Sequence, residues 1–256
     1  MLGAIAGDII GSRFEKSGFK FTQFKLFHPR CSFTDDTVLT IAVADALLHD
    51  KDFEENIKKY ALLYPNRGYG GNFIHWMRGE MEGPYNSWGN GSAMRVSPIA
   101  FTFDTLEDVL TKAKASAIIT HNHPEGVKGA QAVAAAIFLA RQQKSKEEIR
   151  DYIQEQFAYK LGLGVKYIRP FYRFDVSCQG SVPESIIAFL DANSLEEAIR
   201  LAVSFGGDAD TMACIAGAIA EAYYGPVPKE IEEKVRAILP TTFNQTIDLF
   251  YKKYLS

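Results

Sequence analysis

The sequence predicts an all-α protein, a single domain over residues 1–256 built from many short helices. Apolar residues recur at helical spacing, and several segments open with a Ser or Thr followed by acidic residues, which is typical of a capped helix start. Strand signals are sparse: Phe19 to Phe27 alternates only in part, and no series of strand–helix–strand units is visible. With 256 residues, 47% of them apolar and 23% charged, the chain is long enough to bury one full-sized core.

In the first half of the chain, capping residues and a proline mark the helix starts. Thr34 is the predicted N-cap of a helix from Asp35 to Leu48, because its hydroxyl can accept a free N–H of the first turn. Thr105-Leu106-Glu107-Asp108 has the same pattern. Pro124 marks a third start, since proline fits the first helical position. The apolar side of the first of these helices is formed by Val38, Leu39, Ala42, Val43 and Ala46.

The second half has similar signals. Ser145-Lys146-Glu147-Glu148 and Ser194-Leu195-Glu196-Glu197 are further capped starts, and Pro228 occupies a predicted first helical position. A helix that follows Asp208 is predicted to end at Gly225-Pro226. Several helices are rich in Ala and Gly, and small residues let helix backbones approach closely. We therefore expect a compact assembly of many helices.

Composition and charge argue against several classes of protein. The net charge of -3 does not indicate the basic face that general nucleic-acid binding requires, although a local basic pocket remains open. The three cysteines form no CxxC pair, which favours a reducing compartment. Met1 to Gly11 lacks the basic flank of a signal peptide, and the longest apolar run, Ala132 to Ala140, is too short to span a bilayer. We expect a cytoplasmic monomer without membrane spans.

Two acidic clusters are the most informative local feature. They are Thr34-Asp35-Asp36-Thr37 and Gly206-Gly207-Asp208-Ala209-Asp210-Thr211, and each leads into an apolar helical stretch. Neither has a Lys or Arg within it or directly beside it, so bringing the clusters together requires another countercharge. Divalent cations are the simplest candidates, and hard oxygen ligands favour Mg²⁺, Mn²⁺ or Ca²⁺ over zinc. The competing interpretation is that these side chains only cap helices and complement the helix dipole.

Known acidic metal motifs do not fit either cluster. An EF-hand needs ligands at alternate positions, a central Gly and a closing Glu, and these are missing. A DDxxD motif fails because Leu39 occupies its last acidic position. Asp208-Ala209-Asp210-Thr211 is similar to the DxDx(T/V) signature of phosphatases, but that motif should follow a parallel strand near the N-terminus.

Three further features have two interpretations when the residues are taken alone. Glu15 is either a catalytic carboxylate or a solvated residue at a helix end. Gly89-Asn90-Gly91-Ser92 offers backbone N–H groups without bulky side chains, as a pyrophosphate requires, or it forms a simple turn. His121 is either a ligand contact or a packed side chain. Tyr85 and Trp88 could stack on a base, although both are commonly packing residues.

Five motifs, taken in order, are similar to those of the ADP-ribosylglycohydrolase family. The similarity extends over most of the chain, and Ala209 is a modest departure because relatives often have Thr there. The motifs are Gly3-Ala4-Ile5-Ala6-Gly7-Asp8-Ile9-Ile10-Gly11 with Glu15, Phe33-Thr34-Asp35-Asp36-Thr37, Gly89-Asn90-Gly91-Ser92-Ala93-Met94-Arg95, Thr120-His121, and Gly206-Gly207-Asp208-Ala209-Asp210-Thr211.

The resemblance implies an orthogonal multi-helix bundle with a binuclear metal site at its centre, holding two Mg²⁺ or possible Mn²⁺ ions. It implies that Glu15 carries a proton and that Gly89, Asn90, Gly91, Ser92 and His121 bind the substrate. Asp8 is expected either to hold the residues around the metals in place or to contact the metals directly. The implied metal ligands are Thr34, Asp35, Asp36, Asp208, Asp210 and Thr211.

The implied substrate is an ADP-ribosylated protein or a small-molecule ADP-ribose conjugate, cleaved at the glycosidic bond. Arginine is slightly preferred as the acceptor, and O-linked acceptors remain open. Three other functions also remain open: an inactive ADP-ribose-binding module, an Mg²⁺-dependent phosphatase, and a structural role without binding or turnover.

Overall fold

The chain folds into short helices joined by turns, and the computed structural model describes residues 1–255. Within that range the extended pairing is limited to an isolated antiparallel bridge between Gly89 and Ser177, so the all-α prediction is confirmed. A 3-10 turn, Ser12–Phe14, extends the first helix. The helices are α1 (Leu2–Gly11), α2 (Asp35–His49), α3 (Phe53–Leu63), α4 (Gly71–Met77), α5 (Gly91–Met94), α6 (Ser97–Thr102), α7 (Leu106–Ile118), α8 (Pro124–Arg141), α9 (Lys146–Phe157), α10 (Val165–Ile168), α11 (Cys178–Asp191), α12 (Leu195–Ser204), α13 (Ala209–Tyr224), α14 (Lys229–Ile238) and α15 (Thr241–Tyr254).

The predicted capping residues are confirmed. Thr34, Thr105, Ser145 and Ser194 each accept a backbone N–H from the first turn of the helix that follows. At Ser145 the capping box is complete, because Glu148 also bonds back to the backbone of Ser145. These ends form where the sequence predicts them because capping depends on residues only two or three positions apart.

Proline and glycine positions also mark helix boundaries, with one correction. Pro124 begins α8, and α13 ends at Tyr224 before Gly225, which has a positive φ of 95°. Pro228 precedes α14 and does not occupy its first position, so the predicted start was wrong by one residue. Its ψ of 136° is extended, which places it outside the helical turn.

The partial alternation at Phe19 to Phe27 does not produce a strand. This segment is irregular, and its aromatic rings pack locally. Phe19 lies 4.6 Å from Phe14 and 5.7 Å from Phe24, measured between ring centroids. Partial burial of Phe19 and Phe24 accounts for two of the apolar positions without a partner strand, whereas Phe21 is 68% exposed.

Helix α1 packs very closely against α13 through small residues. Gly3 and Gly7 lie on one face of α1, directly against the α13 backbone. A Cβ atom on Gly7 would lie 2.0 Å from the carbonyl oxygen of Ala213, and one on Gly3 would lie 2.3 Å from that of Gly217. Side chains larger than hydrogen therefore cannot be accommodated here without separating the helices.

Helix α13 lies at the centre of the fold. It contacts α1, α2, α5, α8, α11 and α12, and its residues from Ala209 to Glu221 are buried. Helix α2 is similarly buried from Asp36 to Ala46. The N-terminal ends of α2 and α13 carry the two acidic clusters, so the fold brings both clusters inside the protein.

Candidate active site

A cavity of about 560 Å³ opens over the first turns of α2 and α13. Its volume lies within the range of small-molecule sites. Thr34 and Ser92, two of the predicted site residues, are outside its lining. The predicted residues that line it are Glu15, Asp35, Asp36, Gly89, Asn90, Gly91, His121, Asp208, Asp210 and Thr211.

Carboxylates from three helical segments converge at or directly beneath the floor of this cavity, where Asp36 and Asp210 line it. Asp8, Asp36 and Asp210 are all buried, and each places one carboxylate oxygen within 4.8 Å of the others. Burial, followed by repulsion from neighbouring carboxylates, raises the pKa of Asp36 and of Asp210 well above the usual range. The two sequence clusters therefore form one site with a large excess of negative charge when ionised.

Asp8 holds the start of α2. Its carboxylate accepts hydrogen bonds from the backbone N–H of Thr34 at 3.0 Å and of Thr37 at 3.1 Å. The hydroxyls of the same two threonines also donate to it, that of Thr34 at 2.7 Å. Because its carboxylate already accepts four hydrogen bonds, Asp8 is better suited to orienting the α2 cluster than to acting as a primary cation ligand.

Asp36 has the oxygen that is best placed for a cation. Its Oδ1 atom is buried and has no hydrogen-bond partner among residues 1–255. Its Oδ2 atom accepts the Thr211 hydroxyl at 3.2 Å, so the two clusters also contact each other directly. A buried carboxylate oxygen without a donor is costly in a protein interior, and a bound divalent cation satisfies it.

The capping interpretation holds for only one of the two clusters. Thr34 caps α2, but its hydroxyl also donates to Asp8. Asp208 precedes α13, and its side chain makes no capping bond. Its Oδ2 atom instead accepts a 2.7 Å hydrogen bond from the side-chain amide of Asn90. Asp208 thus bonds to a polar side chain in the cavity and does not cap the N-terminus of α13.

Asp35 and Asp208 complete the negative floor. Burial first, and neighbouring carboxylates second, raise the pKa of Asp35 well above its ordinary value. Burial also raises the pKa of Asp208. Lys16, the cation that acts on Asp208, forms its ion pair with Glu15 at 2.9 Å. Lys16 therefore does not neutralise most of the negative charge of the floor, and another countercharge is needed.

Glu15 lies at the rim, directly after the 3-10 turn that extends α1. Its side chain is 34% exposed and lines the cavity, so it reaches both solvent and the acidic floor. Its negative charge contributes to the raised pKa of Asp35 and of Asp208. A carboxylate in this position can exchange protons with water and with a molecule in the cavity.

The glycine-rich turn forms part of the cavity wall. The backbone N–H of Asn90 donates to the carbonyl oxygen of Val176 at 2.8 Å, and the Ser92 hydroxyl donates to that of Gly126 at 2.7 Å. These two groups are therefore used inside the fold. Gly89 and Gly91 line the cavity and place no side chain in it.

His121 lies behind this turn and is buried. A Cβ atom on Gly91 would lie 3.1 Å from its Nε2 atom. Burial, assisted by the nearby Arg95 charge, lowers the pKa of His121 well below its ordinary value, so the ring is neutral. Tyr85 lines the cavity beside this ring, whereas Trp88 is half exposed and outside the lining.

Sequence reasoning missed several residues of this cavity. The side chain of Asn90 bonds to Asp208, although only its backbone was expected to act. Tyr69 and Arg95 line the cavity and have buried polar atoms without partners among residues 1–255. Arg95 is the last residue of the motif Gly89–Arg95, and no role was assigned to it from the sequence. Tyr69 follows Gly68, whose φ of 101° indicates a constrained turn.

The fold and the site define a class: an all-α protein whose cavity floor is a buried cluster of carboxylates. A family model described as ADP-ribosylglycohydrolase matches residues 1–254, and the chain belongs to that family. It is an enzyme of the class that cleaves glycosidic bonds of ADP-ribose. Within residues 1–255, every helix is too short or too polar to cross a membrane.

Individual relatives support the same assignment. ADP-ribosylhydrolase ARH3 of Gallus gallus is 28% identical, over 94% of this chain and 89% of the relative. ADP-ribosylarginine hydrolase Tri1 of Pseudomonas putida (strain GB-1) is 27% identical, over 79% of this chain and 62% of the relative. A solved structure titled ADP-ribosylglycohydrolase-related protein complex superposes with a TM-score of 0.72 at 23% identity, covering 97% of this chain and 94% of that one. That similarity confirms the fold.

Proposed function

We propose that this protein is a metal-dependent hydrolase that releases ADP-ribose from a modified acceptor, with arginine as the preferred linkage. The observation that carries the proposal is the convergence of Asp36 and Asp210, from the two sequence clusters, within 4.8 Å at the floor of one cavity. Membership of the family supplies the reaction class.

The residues present fit two divalent cations, Mg²⁺ or Mn²⁺. The donors are carboxylate and hydroxyl oxygens, which these ions prefer, and Oδ1 of Asp36 lacks any other partner within residues 1–255. When bound, the ions supply positive charge that orients ribose hydroxyls and polarises water. The residues proposed to hold them are Thr34, Asp35, Asp36, Asp208, Asp210 and Thr211.

Glu15 is the proposed proton carrier. Cleavage of a glycosidic bond passes through an oxocarbenium-like state, and a carboxylate beside the bond must transfer a proton between water and the leaving group. Glu15 is a partly exposed carboxylate at the cavity rim, whereas Asp36, Asp208 and Asp210 on the floor are buried. Its ion pair with Lys16 keeps it at the rim.

The wall formed by the glycine-rich turn is proposed to bind the ADP part of the substrate. The turn consists of Gly89, Asn90, Gly91 and Ser92, and its glycines permit close approach of a pyrophosphate. The turn leads directly into the first backbone N–H groups of α5. His121 is proposed to contact the distal ribose or its phosphate. In this arrangement the acceptor end of the substrate lies near Glu15.

Arginine linkage is favoured at the acceptor end of the cavity. Glu15 there offers a carboxylate to a cationic guanidinium, a contact that a neutral serine or acetyl group does not make. The relative Tri1 is named for ADP-ribosylarginine, which is consistent with this preference. We also propose a cytoplasmic monomer, in keeping with three free cysteine thiols, and a substrate that is an ADP-ribosylated protein or small conjugate.

The test is release of free ADP-ribose from defined substrates in the presence of Mg²⁺. ADP-ribosyl-arginine, ADP-ribosyl-serine and O-acetyl-ADP-ribose are compared, and kcat/KM is expected to be highest for the arginine conjugate and to vanish with a chelator. Asp36→Asn should lower Mg²⁺ affinity and turnover together. Asp50→Asn, at the exposed far end of the same helix, is the matched control and should behave as wild type.

Each of the other outcomes identifies a different function. Release from O-linked substrates alone would overturn the arginine preference and leave the hydrolase assignment intact. ADP-ribose binding without any release would indicate a binding module. Hydrolysis of phosphate monoesters without release of ADP-ribose would indicate a phosphatase, and neither binding nor turnover would indicate a structural role.

A further inference from the structure

Arg95 is a fully buried cation whose partners are neutral groups. Its Nη2 atom donates to the Ser116 carbonyl oxygen at 2.7 Å and to the Thr120 hydroxyl oxygen at 3.0 Å. Its Nε and Nη1 atoms have no hydrogen-bond partner among residues 1–255. Burial lowers its pKa to about 10, so the side chain is still charged at neutral pH. A charge kept in the interior at such a cost requires a specific role.

The hydrogen bond to Thr120 continues to His121. The Thr120 hydroxyl oxygen lies 2.7 Å from Nδ1 of His121, and both residues are buried. A guanidinium group can only donate hydrogen bonds, so Thr120 must accept from Arg95. The hydrogen of the Thr120 hydroxyl is then available for a different neighbour, and Nδ1 of His121, at 2.7 Å, can accept it.

Tyr85 also borders Thr120. Burial raises the pKa of its phenol to about 12, so the phenol keeps its proton and can donate as well as accept. The best-satisfied arrangement has the Thr120 hydrogen directed at a bare Nδ1 of His121.

The other ring nitrogen faces the cavity wall. A Cβ atom would lie 3.1 Å from Nε2 of His121 if built on Gly91, and 3.7 Å if built on Gly89. The neutral ring carries a single N–H. With Nδ1 occupied as an acceptor, that hydrogen lies on Nε2 and is directed toward the glycine-rich turn.

We propose that Thr120 is a positioning residue whose hydroxyl, accepting from Arg95, holds His121 as the Nε2–H tautomer. The inference rests on the proposed function, because the donor would serve an oxygen of the ADP-ribose group bound at the turn. Ribose hydroxyls and phosphates present oxygen lone pairs. The opposite tautomer would place a lone pair of the ring against these lone pairs and weaken binding.

The direct test is the ¹⁵N chemical shifts of the His121 ring, measured by long-range ¹H–¹⁵N correlation on ¹⁵N-histidine-labelled protein. His121→Gln identifies the signals among the five histidines. The wild-type ring is expected to be protonated at Nε2 and bare at Nδ1. Thr120→Val keeps the side-chain shape without the hydroxyl and should produce a mixture of tautomers, whereas Thr120→Ser should retain the wild-type shifts. A wild-type ring protonated at Nδ1 would overturn the proposal.

Binding and kinetics provide the second measurement. Thr120→Val should raise KM for an ADP-ribosyl substrate, and Kd for free ADP-ribose, by about tenfold with little change in kcat, since the lost contact is made equally in the ground and transition states. Thr120→Ser should restore both values. Equal losses in both variants, or a fall in kcat and melting temperature without any change of ¹⁵N shifts, would assign Thr120 a purely structural role and reject the relay.

The experiment separates this proposal from the proposed function. The ¹⁵N shifts are read on the protein without substrate, and Kd is measured with ADP-ribose alone. If the tautomer and the Thr120 variants behave as expected but no conjugate is cleaved, the proposed hydrolysis fails and the relay stands. If conjugates are cleaved but His121 is protonated at Nδ1, the relay fails and the proposed function stands.

Discussion

The side-chain amide of Asn90 donates a 2.7 Å hydrogen bond to Oδ2 of Asp208. The same nitrogen lies 3.1 Å from the Ser181 hydroxyl, so the amide has a fixed orientation. The glycine-rich turn and the second acidic cluster are thereby joined by one polar contact. The position of the Asp208 carboxylate depends on a residue on the wall that is proposed to bind substrate.

Removing this contact should weaken cation binding. In Asn90→Ala, Asp208 loses its donor and its fixed orientation, and Mg²⁺ affinity is expected to fall about 10–100-fold. Isothermal titration calorimetry measures the affinity directly. Asn193→Ala, which removes an exposed amide paired with Glu197, is the control and should bind Mg²⁺ as wild type does. Wild-type affinity in Asn90→Ala would show that Asp208 is held by other contacts.

Glu15→Gln should abolish turnover and preserve binding. The substitution keeps the shape of the side chain but removes its ability to exchange a proton, so kcat is expected to fall about 10²–10⁴-fold. Kd values for Mg²⁺ and ADP-ribose, measured by calorimetry, should stay close to wild type. Exposed Glu82 provides the matched control, Glu82→Gln, with unchanged kcat. Turnover at the wild-type rate in Glu15→Gln would reject the catalytic role.

Gly7→Ala should destabilise the fold. The added Cβ would lie 2.0 Å from the Ala213 carbonyl oxygen, so α1 and α13 must separate, at a cost of about 1–3 kcal/mol or more. Urea unfolding measures the loss. Gly162→Ala is the control, because a Cβ there meets nothing within 4 Å, and its free energy of unfolding should equal or slightly exceed that of wild type. Equal stability of the two variants would contradict the close contact.

Glu184 should make stability depend on pH. Burial first, and nearby Asp175 second, raise its pKa from 4.5 to about 7. The folded state therefore keeps this proton up to about pH 7, whereas the unfolded chain releases it near pH 4.5. The stabilisation is fully present below pH 4.5 and is lost as pH rises through 7. Glu184→Gln should remove this loss and gain about 2–3 kcal/mol over wild type between pH 4 and pH 8.

The Glu184 prediction is checked by urea unfolding of both proteins across that pH range. Glu155→Gln, at an exposed position, is the control and should follow the wild-type curve. A difference between wild type and Glu184→Gln that stays constant with pH would show that the carboxyl group titrates normally in the folded protein.

Local features were predictable from the sequence. Thr34, Ser145 and Ser194 cap helices because the groups that they bond are two or three residues away. The acidic clusters were recognisable for the same reason, since each is contiguous. Their convergence was inferred from a shortage of countercharge and from the family resemblance, and the positions of Asp36 and Asp210 confirm it.

Contacts between distant segments were not predictable in the same way. The bond from Asn90 to Asp208 joins residues 118 positions apart, and no local pattern indicates it. Phe19 to Phe27 misled because alternation of apolar residues does not distinguish a strand from a loop whose rings pack locally. Arg95 was quoted only as part of a motif, because the sequence does not show that its guanidinium is buried without an ion pair.

The separation of the two acidic clusters along the chain has a consequence for biosynthesis. Thr211 lies 175 positions after Asp36, and the helices that carry them meet only when α13 packs against α1 and α2. A ribosome therefore exposes the first cluster long before its partner exists, and the emerging chain has no complete cation site. Contacts of such long range form late in folding. A cation at the proposed site would therefore stabilise the finished tertiary structure and would not guide the earlier helices to it.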